Sequence, residues 1–242
     1  MTATLDAADA RVALDFTLPP SREAHEPPEA RGLPRDGVAL MASRGGAGEI
    51  SHHAFTSLPS LLLPGDITDP AHRAALVRAV EDLGGPDLLV NNAGTLGASP
   101  LPALADYPIG ELRDAFEVNV LAPLALTQLL LPALRRRGGA VLSITSDAAV
   151  EAYAGWGGYG AAKAALEQAS NVLAAEESLV RVWWVDPGDL RTQMHQQAFP
   201  GEDISDRPLP DAVVPAFRKL ISERLPAGRY RAAELMPAGA RS

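Results

Sequence analysis

The stretch Asp87-Leu-Leu-Val-Asn-Asn-Ala-Gly94 runs from three apolar residues straight into two asparagines and a glycine. A short unbroken apolar run is the mark of a strand buried on both faces, and its polar end marks where the chain leaves the sheet. The same punctuation repeats outward from it. Upstream, Leu61–Asp66 reads as a short buried strand ending in a turn. Asp69-Pro70 then makes an N-cap and first-turn pair, and Leu76, Val77, Val80 and Leu83 trace one helical face that Gly84 ends. Downstream, 109–137 reads as a long helix bent at Pro123 and Pro132, 140–145 as a strand and 159–177 as a helix. Residues 179–185 read as a strand, 212–225 as a helix and 229–235 as a last short strand. Strands alternating with helices predict an α/β fold, a mostly parallel sheet with helices on both faces.

Composition narrows the function. With 242 residues and 47% hydrophobic content, the chain can bury one sizeable core. It carries 21 basic against 30 acidic residues, a net charge of −9, which argues against nucleic acid or an anionic membrane as partner. There is no cysteine, so thiolate chemistry is excluded and a reducing cytoplasm is the expected location. The first residues have neither a basic nor an apolar leader pattern, and no run approaches the ~18 apolar residues of a membrane span. His52-His53 has no third ligand spaced to join it, so no metal site is expected. The basic residues are nearly all arginine, with Lys163 and Lys219 the only lysines.

Lys163 has a telling neighbour. Tyr159-Gly-Ala-Ala-Lys163 puts a phenol and an ammonium at i and i+4 of one helix face. A cation there can lower a phenol's pKa and make it a usable proton donor or acceptor. Ser146 ends the strand Val141–Ser146, Asn119 lies in the long helix, and Pro187-Gly188 through Thr192 ends another strand. In a parallel sheet the carboxyl ends of strands line one ligand crevice, so these polar groups converge on a single edge.

With these residues in view, the chain from about Asp66 to Leu235 resembles the short-chain dehydrogenase/reductase family: an Asp after the third strand, "NNAG", a helical Asn, Ser, "YxxxK" and "PGxxxT", in that order. The resemblance implies a Rossmann-like, doubly wound fold and an NADP(H)- or NAD(H)-dependent oxidoreductase, NADP favoured. Its substrate would be a small carbonyl compound or secondary alcohol. Tyr159 would exchange the proton, Ser146 would hold the substrate oxygen, Lys163 would bind the nicotinamide ribose and depress the Tyr159 pKa, and Asn119 would anchor a water leading protons to Lys163. Asp66 would meet the adenine, Asn91, Ala93 and Gly94 the adenosine side, and Pro187, Gly188 and Thr192 the carboxamide end. Tyr153, Trp156, Met194 and His195 would cover the substrate. Helices 109–137 and 159–177 pair between subunits in the family, which implies a homodimer or homotetramer.

The N-terminal part departs from that pattern. Residues 1–36, with Pro19-Pro20, Pro27-Pro28 and Pro34, read as a proline-rich arm, followed by one domain over 37–242 that is atypical over 37–65. The family's glycine-rich turn, counted back from Asn91, falls near Phe16–His25, which has no glycine. The only nearby cluster is Gly45-Gly46-Ala47-Gly48. Val38–Ser43 could be the second strand, with Arg44 facing a 2′-phosphate; the cluster could be a relocated cradle; or 38–55 could be a β-hairpin, the reading favoured here. Residues of about 14–66 instead resemble the start of S-adenosylmethionine:tRNA ribosyltransferase-isomerase, whose remaining sequence is absent from this chain. Pairing of 38–55 with the Leu88–Asn91 strand is expected. Loss of a phosphate cradle, worth about 1.5–3 kcal/mol per charge-assisted bond, leaves a dehydratase, a cyclase or a cofactor-free pseudo-enzyme as the alternative functions.

Overall fold

A computed structural model describes residues 39–44, 49–54 and 63–236, with only the backbone of the first two segments described. The chain divides between Pro64 and Gly65 into two units. In the first unit, β1 (Ala39–Arg44) and β2 (Glu49–Ala54) form an antiparallel hairpin with Ala39 opposite Ala54 and Arg44 opposite Glu49. The glycine cluster between them and the arm before them lie outside the described residues. The hairpin is a two-stranded sheet of its own. Within this unit the two strands pair with each other, as the favoured hairpin reading expects.

The second unit holds a four-stranded, all-parallel sheet. Its strands lie in sequence order: β3 (Leu88–Asn91), β4 (Ala140–Ile144), β5 (Arg181–Asp186) and β6 (Gly228–Arg231). Helix α1 (Pro70–Asp82) precedes β3, and Asp69 caps it by accepting from the Ala71 N–H. Helices α2 (Ile109–Phe116) and α3 (Ala122–Arg137) connect β3 to β4, and α4 (Gly157–Glu176) connects β4 to β5. Helices α5 (Gln193–Ala198) and α6 (Val214–Ser222) lie between β5 and β6, and α7 (Ala232–Leu235) follows. The sequence reading of 229–235 as one strand is corrected at Ala232, where α7 begins. Leu63 is 43% exposed and in no strand, so the expected buried strand at 61–66 is not formed by its described part.

Period-2 alternation sends the strand side chains into two cores. Leu89, Val141, Val182 and Trp184 pack with Leu126, Leu130 and Leu134 of α3, and with Val77 and Val80 of α1. Ala140, Leu142, Trp183 and Val185 face the other way, onto Ala216 and Leu220 of α6 and Leu235 of α7. Helices thus cover both faces, as the sequence predicts.

The helix over 109–137 is continuous and, by length and composition, apolar enough to cross a membrane. It holds no unbroken run of ~18 apolar residues, because scattered polar residues break the run without lowering the average much. Half of its most apolar window is buried inside the protein, as in any core helix. At Glu117–Leu121 it widens into a π turn, in which the Ala122 N–H bonds the Glu117 carbonyl. Pro123 has no N–H to offer one turn back, so the wider turn forms where the ladder is broken. That turn aims Asn119 at the loop after β3.

Candidate active site

The carboxyl ends of β3, β4 and β5 open onto a cleft of about 700 Å³, the size of a small-molecule site. Its walls include Asn92 and Gly94 after β3, Ser146 and Asp147 after β4, Tyr159 and Lys163 on α4, and Pro187, Gly188 and Thr192 after β5. Tyr153, Trp156, Met194 and His195 line it as well.

Local structure sets each group. Ser146 is extended and caps a 3₁₀ turn at Asp147–Ala149; its Oγ accepts from the Ala148 N–H and donates to Asp147 Oδ1 at 3.0 Å. Tyr153 donates to the other oxygen of Asp147. Helix α4 approaches this turn so closely that a Cβ on Gly160 would lie 2.5 Å from the Ala148 carbonyl oxygen. Glycine there lets the helix carry Tyr159 up to Ser146. Lys163 is almost fully buried, and Nζ donates to the Ile144 carbonyl at 2.9 Å. Asn119 is fully buried; its carboxamide donates to the Thr95 carbonyl at 2.8 Å and accepts from the Thr95 N–H at 3.1 Å, tying down the loop that carries Gly94. A Cβ on Gly94 would fall 2.9 Å from Asn119 Oδ1 and 3.6 Å from Lys163 Nζ, so the floor of the cleft has no room for a side chain.

The electrostatics differ from the simple phenol–ammonium picture. Burial, followed by the carboxylates of Asp147 and Asp186, pushes the Tyr159 phenol up to about 12, against a smaller pull from the Ser146 hydroxyl. Burial lowers Lys163 to about 8. The ammonium stands 5.5 Å from the phenol's ring centre and is committed to a carbonyl, so it does not offset the two carboxylates. Asp186 is itself raised by burial, although it accepts the Gly188 N–H at 2.9 Å.

Other sequence-predicted residues stand apart. Asn91 is buried on the far side of its strand, donating to Thr127 and Ser143 rather than lining the cleft. Asp66 is exposed and accepts from the N–H and hydroxyl of Thr68 in a turn of its own. Ala93 is exposed and outside the cleft lining. Arg44 ends β1, and its side chain lies outside the described residues. Sequence reasoning missed Asp147 and Asp186, each one residue from a predicted site residue, and Glu167, one turn beyond Lys163 on the same face. Arg229 gave no signal, because it reaches the site only through the sheet.

Residues 36–203 match the short chain dehydrogenase family pattern. An oxidoreductase of uncharacterised role from Saccharomyces cerevisiae, YIR035C, is 34% identical over 54% of this chain and 51% of its own length. Sepiapterin reductase of Rattus norvegicus is 34% identical over 71% of each chain. For several of the curated relatives the match spans only about half their length. Among solved structures, the Escherichia coli oxidoreductase YciK superposes with a TM-score of 0.64 at 31% identity, covering 69% of this chain and 71% of that one. A short chain dehydrogenase from Shigella flexneri, solved as a complex with NADP, gives 0.63 at 30%, covering 71% and 72%. With its parallel sheet and this match across more than half of its residues, the chain belongs to the short-chain dehydrogenase family.

Proposed function

We propose that this protein is an NADP(H)-dependent oxidoreductase that interconverts a small carbonyl compound and its secondary alcohol. The observation that carries the reading is that Ser146, Tyr159 and Lys163 line one cleft, with Asn119 bracing the loop at its floor. Similarity to NADP-complexed relatives supports the cofactor.

The residues present fit the nicotinamide half of that cofactor. The side-chain-free floor at Gly94, the Lys163 ammonium and the Thr192 hydroxyl together suit a sugar and a carboxamide. When bound, the nicotinamide would supply or accept the hydride. Lys163 would hold its ribose, Thr192 and Gly188 its carboxamide end, and Asn92 and Gly94 the near wall. Among the described residues there is no glycine-rich turn between a strand and a helix to receive the pyrophosphate.

A phenol held near 12 keeps its proton throughout the neutral range and so has one to donate to a carbonyl oxygen. The Ser146 hydroxyl hydrogen-bonds the same oxygen and fixes its approach. Lys163, near 8, remains mostly an ammonium at neutral pH and is held in place by the Ile144 carbonyl. Trp156, edge-on to Tyr159 with ring centres 5.7 Å apart, closes the apolar side together with Phe199. Protein of this acidic charge acting on small substrates in the cytoplasm, without nucleic acid or membrane partners, and pairing as a homodimer or homotetramer, is part of the same proposal.

The separate hairpin favours a second reading, in which the same groups move protons without nicotinamide, as in a dehydratase or cyclase. Following NADPH oxidation over a panel of aldehydes and ketones, with Tyr159→Phe in parallel, separates the two. Oxidation that falls about 10²–10⁴-fold in Tyr159→Phe supports the reductase. Absence of NADPH oxidation, with Tyr159-dependent turnover of a β-hydroxy carbonyl, supports the second reading.

A further inference from the structure

Arg229 lines none of the cleft, yet it ties together the elements that form its walls. It sits on β6 with its side chain 23% exposed. Its Nε donates to Glu167 Oε1 at 2.9 Å, and a terminal nitrogen donates to the Ser146 carbonyl at 3.2 Å and lies 3.8 Å from Asp186 Oδ2. The same Glu167 oxygen accepts from Thr145 Oγ1 at 2.8 Å. Glu167 stands on the α4 stripe of Tyr159 and Lys163, one turn further along. The buried carboxylates of Glu167 and Asp186 need a cation beside them, and Arg229 is placed to serve both.

Ser146 is the point these bonds control. Its carbonyl receives Arg229 from one side and the Ala149 N–H, at 3.2 Å, from the next turn. Thr145 before it is held by Glu167 through its side chain and by the Val185 carbonyl through its N–H. The chain at the hydroxyl is therefore bonded to β5 and β6 through its backbone and to α4 through the Thr145 side chain, while Ser146 itself lines the cleft.

We propose that Glu167 and Arg229 act together as the positioning pair of this site: they clamp the end of β4 against α4 and so set the separation of the Ser146 and Tyr159 oxygens. Neither touches the reacting atoms. This inference rests on the Ser146–Tyr159–Lys163 reading of the cleft. A shift of about 1 Å in such a pair lowers turnover by about 10²-fold without weakening binding.

The test compares Arg229→Met, Arg229→Lys and the double variant Glu167→Met/Arg229→Met, with Tyr159→Phe as reference. Arg229→Met leaves Glu167 buried without its cation and can fail to fold; the double variant removes both charges of that pair, while Asp186 keeps the charge of Arg231 near it, and so keeps the test open. In the double variant, kcat is expected to fall about 100-fold with KM and NADPH Kd unchanged. The amides of Ala148 and Ala149 should exchange hydrogen faster, and Arg229→Lys should recover part of the loss. A folded double variant with wild-type kcat and wild-type exchange at these amides overturns the clamp. So does a loss in which kcat, KM and Tm fall together, which is the mark of a scaffold. If Tyr159→Phe turns over at the wild-type rate, the reading of the cleft fails instead, and amide exchange alone decides whether the clamp exists.

Discussion

At β4 and β5 the strands are buried along almost their whole length, whereas β3 alternates between Leu89, 8% exposed, and Val90, 47% exposed, and α1 before it buries no residue fully. The groups proposed to move the proton belong to the first of these regions: Ser146 follows β4, and Tyr159 and Lys163 ride on α4. The groups expected to meet the adenosine side belong to the second. There Asp66 caps its own turn and Asn91 turns into the core between the sheet and α3. The contrast shows that one half of such a site can be built to high packing density while the other half is held by few contacts. A parallel sheet needs only adjacent strands and their crossover helices to be complete, and β4, α4 and β5 form such a unit.

Truncations on the two sides should separate the regions most sharply. Leu142→Ala, at a fully buried position of β4, is expected to cost about 2–5 kcal/mol in urea unfolding, and Val90→Ala less than about 0.5 kcal/mol. Equal costs would break the comparison.

Lys163 gives the next largest effect, through pH. Its amine sits near 8 in the folded protein against 10.5 in the unfolded chain, so the unfolded state holds more protons between those values. Stability from this group is therefore complete above about 10.5 and lost as pH falls towards about 8. Lys163→Met should exceed the wild type by up to about 3 kcal/mol at pH 7, with the gap closing as pH approaches 10.5, even as turnover disappears. Thermal melts across that range check it; a gap that does not change with pH would place the cost of Lys163 elsewhere than in its charge.

The smallest effect is expected at Asp66. Its carboxylate serves an exposed turn, so Asp66→Ala should leave the urea-unfolding midpoint almost unchanged. A loss of NADPH affinity beyond about tenfold in this variant would show that the weakly packed side grips the adenine after all.

Much of this was legible in the residues themselves. The run bounded by Gly139 and Thr145 marks a strand because burial on both faces leaves little room for alternation, whereas Leu88–Val90 forms a strand with Val90 47% exposed, so its apolar run did not mean burial on both faces. Tyr159, Lys163 and Ser146 were readable because helix period and strand ends bring them together without help from distant sequence. The direction of the Tyr159 pKa was not, since it depends on burial and on Asp147 and Asp186, and spacing carries no depth. Asn91 misled for a related reason: adjacent strand residues face opposite ways, and "NNAG" does not say which asparagine faces the cleft. The separate hairpin could be foreseen as a hairpin but not as a sheet of its own, because backbone pairing leaves no trace in side-chain pattern when a strand can satisfy itself locally. Arg229 was invisible for want of any local partner.

The most direct test is calorimetric titration of NADPH into the wild type and into Gly94→Val, whose added side chain would crowd Asn119 Oδ1 and Lys163 Nζ. The wild type should bind one equivalent with a Kd on the order of 10⁻⁵–10⁻³ M, and Gly94→Val should bind at least about tenfold more weakly. Heats for the wild type that match dilution at millimolar NADPH, or identical binding by both proteins, would contradict the assignment of this cleft to a nicotinamide.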